Sequence, residues 1–87
     1  MEKMRVKASS NPGSVAGAIA VRLKDGRQVS LEAVGAAAVN QAVKAIAIAR
    51  GYLELDNIHI YCVPSFSEIL IEGKERTAVR LAVESTS

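Results

Sequence analysis

Ser9, Ser10, Asn11 and Ser14 crowd hydroxyl and amide side chains around Pro12, with Lys7 just upstream. At the start of a helix such groups stand beside unpaired backbone N–H groups and the positive end of the helix dipole. That setting suits an anion such as a nucleic-acid phosphate. The same residue types cap helices and shape turns without any ligand, so the cluster admits both readings. Asn40, Gln41 and Lys44 form a second polar group within one helical turn. They suit phosphate contacts, a seam between subunits or a plain solvent face. Gly35-Ala36-Ala37-Ala38 has small residues where a phosphate loop would sit, but it lacks the glycine spacing and lysine of a P-loop. Close packing of a helix on a sheet explains it better.

Little else in the chain has the makings of catalysis. A single histidine, His59, and a single cysteine, Cys62, rule out an internal disulfide or a cysteine–histidine zinc site. With no nucleophile–base or metal constellation, neither an enzyme nor a cofactor is expected. Cys62 alternates onto an apolar face and reads as a small hydrophobe. Three aromatics, Tyr52, Tyr61 and Phe66, are too few for a base-stacking platform of the RRM kind. The charged tip Glu72-Gly73-Lys74-Glu75-Arg76 suits either a solubilising turn or an arm along a nucleic-acid groove.

The elements that must position these residues follow from periodicity. Glu2–Ala8 alternates, with Met4, Val6 and Ala8 on one side and Lys3, Arg5 and Lys7 on the other, the pattern of a strand packed on one face. Asn11 fits an N-cap and Pro12 the first helical position. Val15, Ala16, Ile19, Ala20 and Leu23 then form a helical stripe that Gly26 ends. Gln28–Val34 alternates again, so a parallel crossover joins the first two strands. A second helix is predicted from Ala36 to Arg50, ending at Gly51. It is apolar nearly all round, which predicts that a second subunit covers part of it. An alanine-rich helix lying tightly on its own sheet would look the same. Ile58, Ile60 and Cys62 open a third strand, with His59 and Tyr61 on its other face; Pro64 places it at an edge or bends it. Glu72-Gly73-Lys74 reads as a hairpin turn before a last strand, Arg76–Val83, with Val79, Leu81 and Val83 inward and Arg80 outward. The predicted order is β-α-β-α-β-β: an α/β two-layer sandwich, with two helices on one face of a four-stranded mixed sheet. Glu84–Ser87 reads as a frayed end.

The 87 residues, 49% hydrophobic and 23% charged, fit one globular domain over 1–87 and exclude wholesale disorder. The most apolar stretch, Val34–Val43, is interrupted by Asn40 and Gln41 and followed by Lys44, so no membrane span is expected. Met1-Glu2-Lys3-Met4-Arg5 has no apolar signal core behind it, which predicts a cytoplasmic protein. The net charge of +2 is uneven. Residues 1–50 carry eight basic and three acidic side chains, whereas residues 51–87 carry three basic and six acidic. An anion-binding surface should therefore be built from the first half.

Three segments carry a family resemblance: Ser14-Val15-Ala16-Gly17-Ala18-Ile19-Ala20; Gly35 with the run Val39-Asn40-Gln41-Ala42-Val43-Lys44-Ala45-Ile46-Ala47-Ile48-Ala49-Arg50-Gly51; and Glu75-Arg76-Thr77-Ala78. Together they resemble the bacterial stage V sporulation protein S family over nearly the whole chain. That family is more distantly similar to the archaeal Alba chromatin proteins, which share the β-α-β-α-β-β order. The resemblance implies a homodimer, a nucleic-acid-binding role and regulation of sporulation or a related developmental programme. Two departures stand out. Alba-type proteins place a lysine pair before the proline that opens the first helix, where this chain has Ser10-Asn11. They also carry arginines around the glycine before the second helix, where it has Val34 and Ala36. Each lost phosphate contact removes about one unit from the counterion-release term.

The expectation is a small dimer, joined through the second helix, that binds DNA or RNA by its phosphate backbone. Lys7, Ser9, Ser10, Asn11, Ser14, Asn40 and Lys44 are its candidate contacts, and Arg50 a further compensating cation. The alternative is a protein–protein adaptor of a developmental pathway without nucleic-acid binding.

Overall fold

The computed structural model describes residues 2–86. The elements are β1 (Glu2–Val6), α1 (Pro12–Lys24), β2 (Val29–Ala33), α2 (Ala36–Glu54), β3 (Ile60–Ile71) and β4 (Lys74–Ser85). They form the anticipated two-layer α/β sandwich. Sheet order is β1-β2-β4-β3, with β1 parallel to β2 and the other pairings antiparallel. Val29, Leu31, Leu81 and Val83 meet Ala16, Ile19, Ala42, Ala45, Ala49 and Leu53 in one core. Alanine dominates the helix side of that core, so the helix axes come close to the sheet and to each other.

Both helices stop by the same device. Gly26 has φ 76, and the N–H groups of Gly26 and Arg27 reach back to the carbonyls of Leu23 and Arg22. Asn57 has φ 58, and the N–H groups of Asn57 and Ile58 reach back to Glu54 and Leu53. These paired returns are Schellman caps, which need a left-handed residue after the last turn. Gly51 therefore does not end α2, contrary to the sequence reading. A mid-helix glycine costs about 0.5–1 kcal/mol, whereas carrying the helix on to Leu53 buries a full leucine, worth roughly 1.5–3 kcal/mol.

Other boundaries move for similar reasons. β1 stops at Val6, and Ala8 is exposed, because Lys7 and Ser10 close a turn instead of extending the strand. β3 begins at Ile60, not Ile58, and runs unbroken through Pro64. Of the two alternatives for that proline the edge is the one observed, since β3 pairs only with β4. Glu72 and Gly73, both at positive φ, make the two-residue hairpin turn, and Lys74 already belongs to β4. Glu84 and Ser85 are strand residues, paired with Tyr61 and Ile60; Ser87 lies outside the described residues. Cys62 is half-buried against the core.

β2 departs most from its sequence pattern. All five of its residues are buried, including Ser30 and Glu32 on the face away from the helices. Ser30 is fully buried and its hydroxyl has no partner among the described residues. Removing a buried hydroxyl with no hydrogen bond relieves a desolvation cost of order 1 kcal/mol. Ser30→Ala is expected to raise the thermal midpoint by several degrees, read by circular dichroism; a lowered midpoint would show that the hydroxyl has a partner in solution.

Candidate nucleic-acid interface

Because β1 and β2 run parallel, their C-terminal ends share one pole, and the N-termini of both helices open there. In open α/β sheets this is the end where ligands bind. The hairpin projects from the same pole. β2 pairs with β4 only over Val79–Val83, so Lys74–Ala78 and their β3 partners extend past the end of β2 as an arm. The molecule is accordingly elongated, 41 × 22 × 17 Å.

The loop from Lys7 to Ser14 is tightly tied. The Ser10 hydroxyl accepts from the Lys7 N–H at 2.8 Å, and the Ser10 N–H donates to the Lys7 carbonyl at 3.0 Å. Asn11 is the N-cap of α1: its side-chain oxygen accepts from Ser14 N–H at 3.1 Å, and its carbonyl accepts from Val15 N–H. Pro12 has no N–H to give. Three of the first four residues of α1 thus offer no free donor, so the cluster works first as a cap and a turn. Lys7, Ser9 and Ser14 remain exposed around it. α2 begins differently. Gly35, at φ 90 and ψ 155, is its N-cap and supplies no side-chain cap. The small residues at 35–38 thus frame the less guarded of the two helix starts.

One long-range bond joins the two polar groups. Gln41 Nε2 donates to the Ser10 carbonyl at 2.9 Å across 31 residues of sequence. Gln41 therefore turns inward, while Asn40 and Lys44 stay exposed beside the loop's anchor. The lysines at 7 and 44 consequently flank one joined surface, which the sequence could not reveal from two separate segments. A groove of about 450 Å³ continues it toward the arm, with Arg5, Lys7, Val34, Leu70, Ile71 and Glu72 on its walls.

Cations divide by pole. Arg22 and Arg27 both pair with Glu2, Arg27 also with Asp25, Lys24 with Asp56, and Arg50 with Glu54. All of these lie toward the C-terminal ends of the helices. Lys3, Arg5, Lys7, Lys44, Lys74 and Arg76 have no ion pair among the described residues. Half of the eight basic residues in the first half of the chain are thus already matched to carboxylates, including Arg50.

On the helix side, α2 leaves Val43, Ala47 and Arg50 exposed above Ile60, Tyr61 and Cys62, around a groove of about 470 Å³. Val43 is 51% exposed. α2 is therefore well packed on α1 and the sheet along one side and bare along another. His59 is exposed just before β3, and its carbonyl accepts from the Thr86 N–H. Among the described residues no three His, Cys, Asp or Glu side chains gather as metal ligands would, and no helix is long and apolar enough to cross a membrane.

Tyr61 faces Glu84 across the β3–β4 ladder. Hydrogen bonding to that carboxylate, then its negative charge, then slight desolvation hold the phenol proton and push its pKa above the ordinary value of 10.0. In a Tyr52→Phe background, where Tyr61 is the sole tyrosine, Glu84→Gln is expected to lower the alkaline tyrosinate midpoint read by ultraviolet absorbance. An unmoved midpoint would mean that the pair does not form in solution.

A family model described as Stage V sporulation protein S (SpoVS) matches residues 2–86.

Proposed function

This chain belongs to the stage V sporulation protein S family, a sporulation-related group of small proteins, and from that premise we propose that it is a non-catalytic, nucleic-acid-binding regulator. In this reading it holds the phosphate backbone as a homodimer and reads little base sequence. The observation that carries it is the Gln41–Ser10 bond, which joins the Lys7 loop to the exposed Asn40 and Lys44 of α2. Lys7 and Lys44 face solvent without a carboxylate partner among the described residues, so their charge is available to a polyanion. Ser9 and Ser14 add exposed hydroxyls, which position a backbone without reading bases. The family resemblance supports the same reading, and a cytoplasmic site of action accords with it.

Fluorescence anisotropy with a labelled mixed-sequence DNA duplex and its RNA counterpart tests the proposal. Binding should weaken linearly with log salt, and Lys7→Glu should reduce affinity about tenfold on every sequence while lowering the salt slope by about one unit. Absence of binding to both probes at about 50 mM salt would overturn it.

The bare side of α2 supports the dimer. Val43 and Ala47 present a shallow apolar strip where a second copy's alanine-rich helix can approach closely. Light scattering at micromolar concentration should give twice the 9.2 kDa chain mass, and Val43→Glu should return it to one chain. A wild-type particle of one chain mass would remove the dimer from the proposal.

One observation favours the adaptor reading. Phe66, at the base of the arm, is 80% exposed and Leu70, on the arm itself, 65%, both on the same face of β3, and exposed apolar surface of this kind marks protein-interaction sites.

A further inference from the structure

The strands sort their charges by face. Residues that alternate with the buried Val29, Leu31, Leu81 and Val83 point away from the helices. By register these include Lys3 and Arg5 on β1 and Lys74, Arg76 and Arg80 on β4, which are all the cations that the strands carry. The strands' other charged residues on the helix side are Glu2, Glu68 and Glu75, all acidic. Two carboxylates share the cationic face. Glu32 sits between Arg5 and Arg80 in one cross-strand row, is largely buried, and accepts a 2.9 Å bond from the Ser67 hydroxyl. Glu84 lies at the far end, engaged by Tyr61.

We propose that this helix-free face is a binding track for nucleic-acid backbone, running from Lys74 and Arg76 on the arm across Arg80 to Arg5 and Lys3. The proposal rests on the nucleic-acid reading above and extends its site: Lys7 becomes one margin of a longer surface. Continuity comes from the groove at the shared pole, where Arg5 and Lys7 stand opposite the arm residues Leu70 and Ile71. Glu72 also borders that groove, at the hairpin turn, and is the one carboxylate along its rim among the described residues. The six residue steps of extended β4 from Lys74 to Arg80 cover about 20 Å. A duplex presents roughly a dozen phosphates over that length, at one charge per ~1.7 Å. The two neighbouring strands then set Arg5 about 10 Å to the side of Arg80. This is a surface for a phosphate backbone and not for a single small anion. The exposed side of α2, on the opposite layer, stays free for the second subunit.

The test uses the full chain and the same labelled duplex. Arg5→Glu with Arg76→Glu should weaken binding at least tenfold and lower the salt slope by about two units. Lys74→Glu alone should lower it by about one. Lys24→Glu makes the same charge change at the other pole, where the side chain is held by Asp56, and should leave affinity within about twofold. Circular dichroism and melting confirm that each variant folds. If Lys24→Glu weakens binding as much as Lys74→Glu, net charge alone is at work and the track is refuted. If the arm and β1 variants bind like wild type while Lys7→Glu does not, the track is refuted and the reading of the previous subsection stands. If the wild type binds neither duplex DNA nor RNA, both fall together.

Discussion

The parallel pairing of β1 with β2 is the constraint from which the rest of this molecule follows. Two parallel neighbours cannot be joined by a tight turn; they need a crossover, and α1 supplies it. β2 then lies between β1 and β4, and every one of its five residues is buried. With both helices on one layer, the sheet has one apolar face and one polar face. The same pairing brings the N-terminal ends of α1 and α2 to a common pole, so the chain's capping residues and its least guarded helix start meet there. The arm emerges at that pole because β2 turns into its helix after Ala33, while β4 has five more residues on that side.

Electrostatics give these two ends different characters. Ion pairs between exposed side chains contribute only about 0–1 kcal/mol each to stability, but they cancel the local field. At the C-terminal ends of the helices Glu2, Asp25, Glu54 and Asp56 do this for Arg22, Lys24, Arg27 and Arg50. At the arm and on β1 the cations keep their field. A net charge of +2 thus understates the local potential where a polyanion would approach.

Alanine does two jobs in α2. Ala38, Ala42, Ala45 and Ala49 let the helix sit close on the core. Ala36, Ala37 and Ala47 lie on the exposed side, where small side chains leave the backbone approachable. The two proposed surfaces accordingly fall on different layers: the helices for the second subunit, the open sheet face for the charged polymer.

Much of the fold was legible in the residues themselves. Period-two and helical patterns, the Asn11-Pro12 start, the Gly26 stop and the Gly73 turn are local signals, each set by backbone sterics or capping within a few residues. Local chemistry also marked the charged alternation of Lys3, Arg5 and Lys7. What tertiary structure alone decided were matters of pairing and burial. Leu53 carries α2 past Gly51 because a distant core receives it. Gln41 turns away from Asn40 and Lys44 to reach Ser10, 31 residues back in the sequence. Which cations share a face depends on strand register between segments some seventy residues apart, and no local pattern encodes that. The amino-acid order specified the pieces, since those signals act over one turn or one pleat; packing specified their company, since hydrophobic burial acts only once distant segments have met.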